Sequence, residues 1–194
     1  MKEDIEAGLR EFAALGVGFD ERNELTDEAI GVMKAAWTGT SVQFAGRHFN
    51  APGNTMLPTP VQRPHPPIWI GGNSKRAIRR AVELADGWAP MPNPARSARR
   101  RRSPALESLD DLRQSLAYAS EHAAAVGRDA PLEVVFMPLG LDMLSDGRFD
   151  GPAVVDHLAT MADAGVTYAC ASVSGETLGQ FVAEVERFGR EVIR

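Results

Sequence analysis

Residues 68–91 read IWIGGNSKRAIRRAVELADGWAPM, and this stretch decides the fold. Ile68–Ile70 is a short apolar run that ends in two glycines, which predicts a buried strand followed by a turn. Ser74 is placed as the N-cap of a helix that runs to Ala85. An Asp-Gly turn then leads into a second short strand, Trp88–Met91. The stretch therefore predicts a strand–helix–strand unit of a parallel sheet.

The same alternation continues toward the C-terminus. Leu132–Leu139 and Val166–Val173 are two further apolar runs, which we expect to be buried strands. Strands that are apolar on both faces and alternate with helices indicate a parallel α/β sheet. The predicted helices are Ser108–Val126 (with Ser108 and Asp111 as a capping box and Gly127 at its end), Pro152–Ala164 and Glu176–Ile193.

Helices and a hairpin precede these units. The spacing of apolar residues predicts a helix over Lys2–Leu15 and a second helix that has Thr26 as its N-cap and is stopped by Gly39. Val42–Phe49 is typical of a short hairpin. Six prolines between Pro52 and Pro67 exclude a helix there and predict an extended connector.

Composition excludes several classes of protein. The chain has 194 residues, of which 44% are apolar and 24% charged, so a packed core is expected and general disorder is excluded. A net charge of −5 argues against a basic nucleic-acid binder. Without an apolar run near 20 residues or a signal peptide, we expect a cytoplasmic chain with no membrane partner. The single cysteine, Cys170, lies in an apolar run and is expected to be a buried, inert thiol.

Positive charge is concentrated in residues 61–104, which hold ten basic and two acidic side chains. Part of this charge lies in Pro92–Glu107, which contains Arg96 and the run Arg99–Arg102. The length and like charge of Pro92–Glu107 predict a basic, poorly ordered loop. The positive segment either attracts an anion or is a solvated surface, and the residues alone leave both interpretations open.

The best candidate site is the turn Gly71, Gly72, Asn73 and Ser74, between a strand and a helix. Two glycines allow close approach of a ligand, and the N–H groups of a helix start attract a phosphate, such as that of a nucleotide or flavin. The turn matches neither a P-loop nor GxGxxG, so an ordinary glycine turn with a capping serine is the alternative. The four histidines show no metal-ligand spacing, and no metal is predicted.

A longer pattern extends from residue 14 to residue 90. ALGVGFDERNELTDEAIGVMKAAWTGTSVQFAGRHF, followed by PTPVQRPHPPIWIGGNSKRAIRRAVELADGWAP, resembles the luciferase-like monooxygenase superfamily, and within it the branch that uses the deazaflavin coenzyme F420. The resemblance implies a (β/α)₈ barrel and an oxidoreductase acting on a small organic substrate, with F420 (preferred) or FMN as cofactor. It places the backbone of Gly71 and Gly72 at the cofactor's phosphate, with Asn73 and Ser74 continuing the turn.

The family's first four strands have no counterpart in residues 1–194. Four βα units are about half of what a (β/α)₈ barrel needs. We therefore expect a single domain that is a partial (β/α)₈ (TIM) barrel: residues 1–66 form two helices, a hairpin and a proline-rich connector, and residues 67–194 form roughly the last four βα units. Most substrate-facing groups of the family lie in the absent strands, so no catalytic residue is assigned.

Three hypotheses about function remain. The chain is the C-terminal half of a flavin- or deazaflavin-dependent oxidoreductase, or a non-catalytic half-barrel that binds or assembles, or an open parallel sheet with an unrelated anion ligand. A half-barrel leaves two apolar edge strands, which predicts self-association or a complementary N-terminal half as partner.

Overall fold

The computed structural model describes residues 3–101, 103–136 and 150–193. The chain divides into two compact units, one that ends at Ile68 and one that begins at Trp69. Among the helices that the structure describes, none combines the length and the apolar character needed to cross a membrane.

The first unit holds two helices and a hairpin. Helix α1 spans Glu3–Ala14, and a 3₁₀ turn at Phe19–Glu21 leads directly into helix α2, Arg22–Trp37. Strands β1, Val42–Ala45, and β2, Asn50–Asn54, pair antiparallel, so a hairpin is present as predicted, but its second strand lies beyond the predicted end at Phe49.

The predicted start of α2 is wrong. Thr26 is not an N-cap, because its hydroxyl donates to the carbonyl of Arg22 at 2.6 Å inside the helix. The 3₁₀ turn is already helical and continues directly into α2 at Arg22, so the helix has begun four residues before Thr26. The connector prediction holds after Asn54, where the chain forms neither helix nor strand before residue 69.

Glu28 of α2 fastens the hairpin turn. Its carboxylate accepts the backbone N–H groups of Arg47 at 2.9 Å, His48 at 2.9 Å and Phe49 at 3.3 Å. The N–H of His48 is the largest cause that holds the pKa of Glu28 below its ordinary value. The Arg47 guanidinium also contacts Glu21 and Glu24, at 2.6 and 2.7 Å, but both of these pairs are exposed.

The second unit is built on a parallel sheet. Its strands are β3, Trp69–Gly71, β4, Gly87–Ala89, β5, Glu133–Phe136, and β6, Tyr168–Ala169. All neighbours are parallel and lie in the order β3-β4-β5-β6. The predicted parallel α/β sheet is therefore confirmed. Residues 137–139 of the predicted strand Leu132–Leu139 lie outside the described residues.

The second unit has five α-helices among the described residues, and all but Ala95–Arg101 agree closely with the sequence patterns. They are α3, Lys75–Leu84, α4, Ala95–Arg101, α5, Leu109–Val126, α6, Gly151–Asp163, and α7, Leu178–Phe188, which continues as a π-helix over Gly189–Ile193. The capping box of α5 is present as predicted: Ser108 accepts from the N–H of Asp111, and Asp111 accepts from that of Ser108. Gly127 closes α5 in the left-handed conformation, with φ of 70°.

The core lies between the sheet and its helices. Ile70, Trp88, Val134 and Phe136 of the strands are buried together with four residues of α3 and two of α5: Ala77, Ile78, Ala81, Val82, Leu112 and Ala119. The side chain of Arg128 closes the end of α3, because it donates to the carbonyls of Val82 and Ala85 at 2.8 and 2.7 Å.

The last strand is shorter and more exposed than predicted. Of Val166–Val173 only Tyr168–Ala169 is strand, and both of those residues are exposed. Cys170 is exposed as well, so the predicted buried thiol is wrong. The prediction assumed that both sides of the strand are covered, whereas β6 has a strand neighbour on one side only among the described residues.

The predicted loop Pro92–Glu107 is also corrected, because α4 lies within it. Asn93 and Leu106 pair through both backbone hydrogen bonds at 2.9 Å, and Leu106 is buried. The helix leaves Arg96 and Arg99 exposed, so their like charge meets water and does not prevent order.

We predict that Glu28→Gln lowers the melting temperature near pH 7 more than Glu24→Gln, which removes an exposed ion pair with Arg47 and a longer contact of 3.9 Å with His48. The folded pKa of Glu28 is depressed, so its carboxylate stabilises the fold fully above the ordinary value of 4.5 and loses that effect as pH falls through the folded pKa. Melting followed by circular dichroism should therefore show the gap between wild type and Glu28→Gln closing on acidification. A gap that is independent of pH would contradict this role.

Candidate anion and cofactor site

The turn between β3 and α3 carries the predicted site. Gly71 ends β3, and Gly72 has φ of +109°, a conformation that side-chain-bearing residues rarely adopt. Ser74 is the N-cap of α3, as predicted: its backbone is extended and its hydroxyl oxygen accepts from the N–H of Ala77 at 3.1 Å. The structure thus places Gly71, Gly72, Asn73 and Ser74 on one strand-to-helix turn.

Both backbone polar groups of Gly72 are hydrogen-bonded to strand β4. The N–H of Gly72 donates to the carbonyl of Ala89 at 3.3 Å, and its carbonyl accepts the indole N–H of Trp88 at 2.8 Å. Trp88 is fully buried, so this indole has no water as an alternative partner. The N–H of Gly72 is engaged with the sheet, and what Gly72 supplies to the turn is its conformation.

The next three backbone N–H groups are available to a ligand. Within the described part of the chain, the N–H groups of Asn73, Ser74 and Lys75 have no hydrogen-bond acceptor. They lie at the start of α3, where the unpaired amides of a helix carry partial positive charge. The turn can therefore accept an anionic group without further rearrangement.

Cationic side chains of α3 are engaged with helix α5. The ammonium of Lys75 lies over the ring of Tyr118, 4.7 Å from its centroid, and Arg79 donates to the hydroxyl of Tyr118 at 2.8 Å. These contacts hold the charges of Lys75 and Arg79 toward α5, and the turn itself offers backbone N–H groups to an anion.

Asn73 is one of two buried asparagines that the structure links to each other. Its side-chain amide donates to the carbonyl of Met91 at 2.8 Å and to that of Pro104 at 3.2 Å, and its oxygen accepts the N–H of Met91 at 3.0 Å. Asn93 donates to the same Pro104 carbonyl at 2.9 Å. No local pattern predicts these contacts, since the partners of Asn73 lie 18 and 31 residues away along the chain.

Groups suited to acid–base or metal chemistry are dispersed. His122 and Glu83 form a pair at 2.6 Å between α5 and α3, and Nε2 of His48 lies 3.9 Å from Glu24 in the other unit. In residues 3–101, 103–136 and 150–193, no three His, Cys, Asp or Glu side chains are grouped so as to hold a metal ion. The arrangement at the turn is suited to binding an anion.

Comparison with known proteins adds a family to this geometry. The family model described as luciferase-like monooxygenase matches residues 7–140, which is more than half of the chain. The chain belongs to this family. The predicted resemblance is thereby confirmed, and the glycine turn lies inside the matched range.

Individual relatives of this luciferase-like chain agree in fold. It is 32% identical over 123 residues, 62% of the chain, to an FMNH₂-dependent dimethylsulfone monooxygenase of Pseudomonas putida, and spans 32% of that protein's length. Monooxygenase RslO1 from Streptomyces bottropensis has a similar structure, with a TM-score of 0.69 at 15% identity over 95% of this chain and 64% of its own.

A coenzyme F420-dependent tetrahydromethanopterin reductase from Methanopyrus kandleri is also similar in structure, with a TM-score of 0.60 at 14% identity over 86% of this chain and 61% of its own. At such identities the likeness concerns the fold alone. The chain spans about a third of the length of the dimethylsulfone monooxygenase and under two thirds of each of these two structures.

We predict that Gly72→Ala destabilises the chain by about 1–3 kcal/mol because it forces a side chain into a positive-φ conformation. The added methyl group has room, since its nearest neighbour is Cβ of Ala77 at 3.5 Å, so strain is the main cost. Gly71→Ala is the control, because its methyl group meets only the Ala89 carbonyl at 3.9 Å. Urea unfolding measures both, and equal destabilisation would contradict the assignment of strain to Gly72.

Proposed function

We propose that the chain forms part of a flavin- or deazaflavin-dependent oxidoreductase of the luciferase-like family, and that the turn Gly71–Ser74 holds the phosphate of its cofactor. The observation that carries the proposal is the set of three N–H groups, from Asn73 to Lys75, without an acceptor at the start of α3. Phosphate is suited to such a site because it offers several acceptor oxygens and a negative charge.

Membership of the family supports the class of reaction, and two arguments bear on the cofactor. The curated relative at 32% identity is named FMNH₂-dependent, which favours reduced FMN. The pattern of residues 14–49 and 58–90 resembles the branch that uses coenzyme F420, which favours the deazaflavin. Both cofactors carry a phosphate, so the turn suits either one, and a titration that compares them is the deciding experiment.

We propose further that the four βα units are one part of a (β/α)₈ barrel. Trp69 of β3 and Tyr168 of β6 support this, because their rings meet at 5.4 Å on one face of the described sheet and are nevertheless 44% and 48% exposed. Leu178, Phe181 and Val185 of α7 are apolar and exposed too. A second polypeptide with the remaining strands, or a second copy of this chain, would cover such surfaces.

We predict that the purified chain binds FMN or the deazaflavin, and that inorganic phosphate competes. The amide resonances of Asn73, Ser74 and Lys75 should shift on titration with phosphate. Gly72→Val should weaken binding by about tenfold or more, because a displaced turn misdirects these amides. Gly127→Ala is the matched control, since Gly127 also has positive φ but ends α5.

A wild type that binds neither cofactor nor phosphate would overturn the proposed site. Binding without oxidation or reduction of any substrate, even when a complementary polypeptide is supplied, would favour the non-catalytic half-barrel.

A separate prediction concerns association. Sedimentation velocity of the 20.9 kDa chain should show species larger than the monomer, and Tyr168→Lys should shift them toward the monomer, because a charge on an edge strand disfavours pairing. Ala117→Lys, on an exposed position of α5, is the control and should change nothing. A wild type that is monomeric at all concentrations, with cooperative unfolding, would contradict the partial-barrel proposal.

A further inference from the structure

We propose that Asn73 is a positioning residue of the anion site: its side chain binds the β4–α4 segment and thereby fixes the direction of the N–H groups at the start of α3. This inference rests on the proposed function, because it assumes that the turn Gly71–Ser74 holds a phosphate. It assigns the side chain of Asn73 to the protein scaffold and only its backbone to the ligand.

The hydrogen-bond inventory of Asn73 supports this assignment. A primary amide has two protons to donate, and those of Asn73 go to the carbonyls of Met91 and Pro104 at 2.8 and 3.2 Å. Its oxygen accepts the N–H of Met91 at 3.0 Å. The residue as a whole is 7% exposed. No amide proton is left for a ligand, so direct binding of a phosphate by this side chain would first require one of these bonds to break.

The contact with Met91 also fixes orientation. Asn73 and Met91 exchange two hydrogen bonds, as two peptide groups of neighbouring strands do, which restrains both distance and rotation. Together with the bonds from Gly72 to Trp88 and Ala89, they attach two consecutive residues of the turn to β4 and the residues after it. The N–H groups that follow are therefore aimed before a ligand arrives, which reduces the entropy lost on binding.

The third bond extends the connection to the far side of α4. The Pro104 carbonyl accepts from Asn73 and from Asn93, whose amide also reaches the Ser103 carbonyl at 2.9 Å. Both of the side-chain donations described for Asn93 go to carbonyls that follow α4, whereas Asn73 is itself part of the turn. The two asparagines thus share a partner but differ in reach, and this makes Asn93 the matched control for Asn73.

The test compares Asn73→Ala with Asn93→Ala in the full 194-residue chain. Inorganic phosphate and FMN are the probes, titrated by amide NMR shifts and by flavin fluorescence, and thermal melts of both variants are recorded. Each variant loses buried hydrogen bonds, so we expect both melting temperatures to fall. Only Asn73→Ala should lose affinity, by about tenfold, while Asn93→Ala should stay within about twofold of wild type.

A second measurement needs no variant. Because coupling between two sites is reciprocal, phosphate bound at the turn must stabilise the contact between Asn73 and Met91. Hydrogen exchange of the Met91 N–H in the wild type should slow on addition of phosphate, relative to the Leu106 N–H, which bonds to the Asn93 carbonyl.

The outcomes separate the two proposals. A wild type that binds neither probe overturns the phosphate site and this role of Asn73 with it. A wild type that binds, with Asn73→Ala binding equally well or with the two N–H groups slowing equally, overturns the positioning role alone. Loss of affinity in Asn73→Ala together with selective protection of Met91 supports both proposals.

Discussion

The hydrogen bond from the buried indole of Trp88 to the carbonyl of Gly72 is the constraint on which the second unit depends. It joins the core of the sheet to the turn at the carboxyl end of β3. Burial of Trp88 contributes apolar contact, but its N–H must find an acceptor in the interior, and the turn over β4 supplies that acceptor through the carbonyl of Gly72. Gly72 makes that approach with a positive φ that a residue with a side chain would adopt only under strain. Core packing and site geometry therefore share one contact.

A glycine also permits a close contact at the other end of the strands. Trp69 donates from its indole to the Glu133 carboxylate at 2.6 Å, across β4, and its ring lies 5.4 Å from that of Tyr168. This reach requires Gly87 between them: a Cβ there would come within 2.6 Å of Cδ1 of Trp69 and 2.9 Å of the Glu133 carbonyl. The glycine of the Asp-Gly turn after α3 thus leaves room for the side chain of Trp69 to cross β4. The side chains of Trp69, Glu133 and Tyr168 form a polar and aromatic row that connects β3, β5 and β6.

Local signals were predictable from the sequence, and contacts distant along the chain were not. Ser74 and the box of Ser108 and Asp111 were found because a cap and its partner lie three residues apart. The prediction of Thr26 as an N-cap is wrong because a 3₁₀ turn at Phe19–Glu21 leads into the helix before Thr26 is reached. The predicted burial of Cys170 is wrong because the exposure of a strand depends on the elements that lie beside it, which the strand's own residues do not encode.

The candidate site shows the same division within four residues. Two glycines and a capping serine identified the turn, because their conformational and capping roles are local. The side-chain hydrogen bonds of Asn73 go to Met91 and Pro104, and these partners are brought near it only by the tertiary fold. A short polar side chain beside glycines is readily interpreted as a ligand, yet here burial forces it to satisfy its own protons first. Since a buried amide with every proton engaged cannot bind a phosphate without losing a bond, the scaffold leaves the backbone N–H groups of residues 73–75 as the part of the motif that an anion could meet.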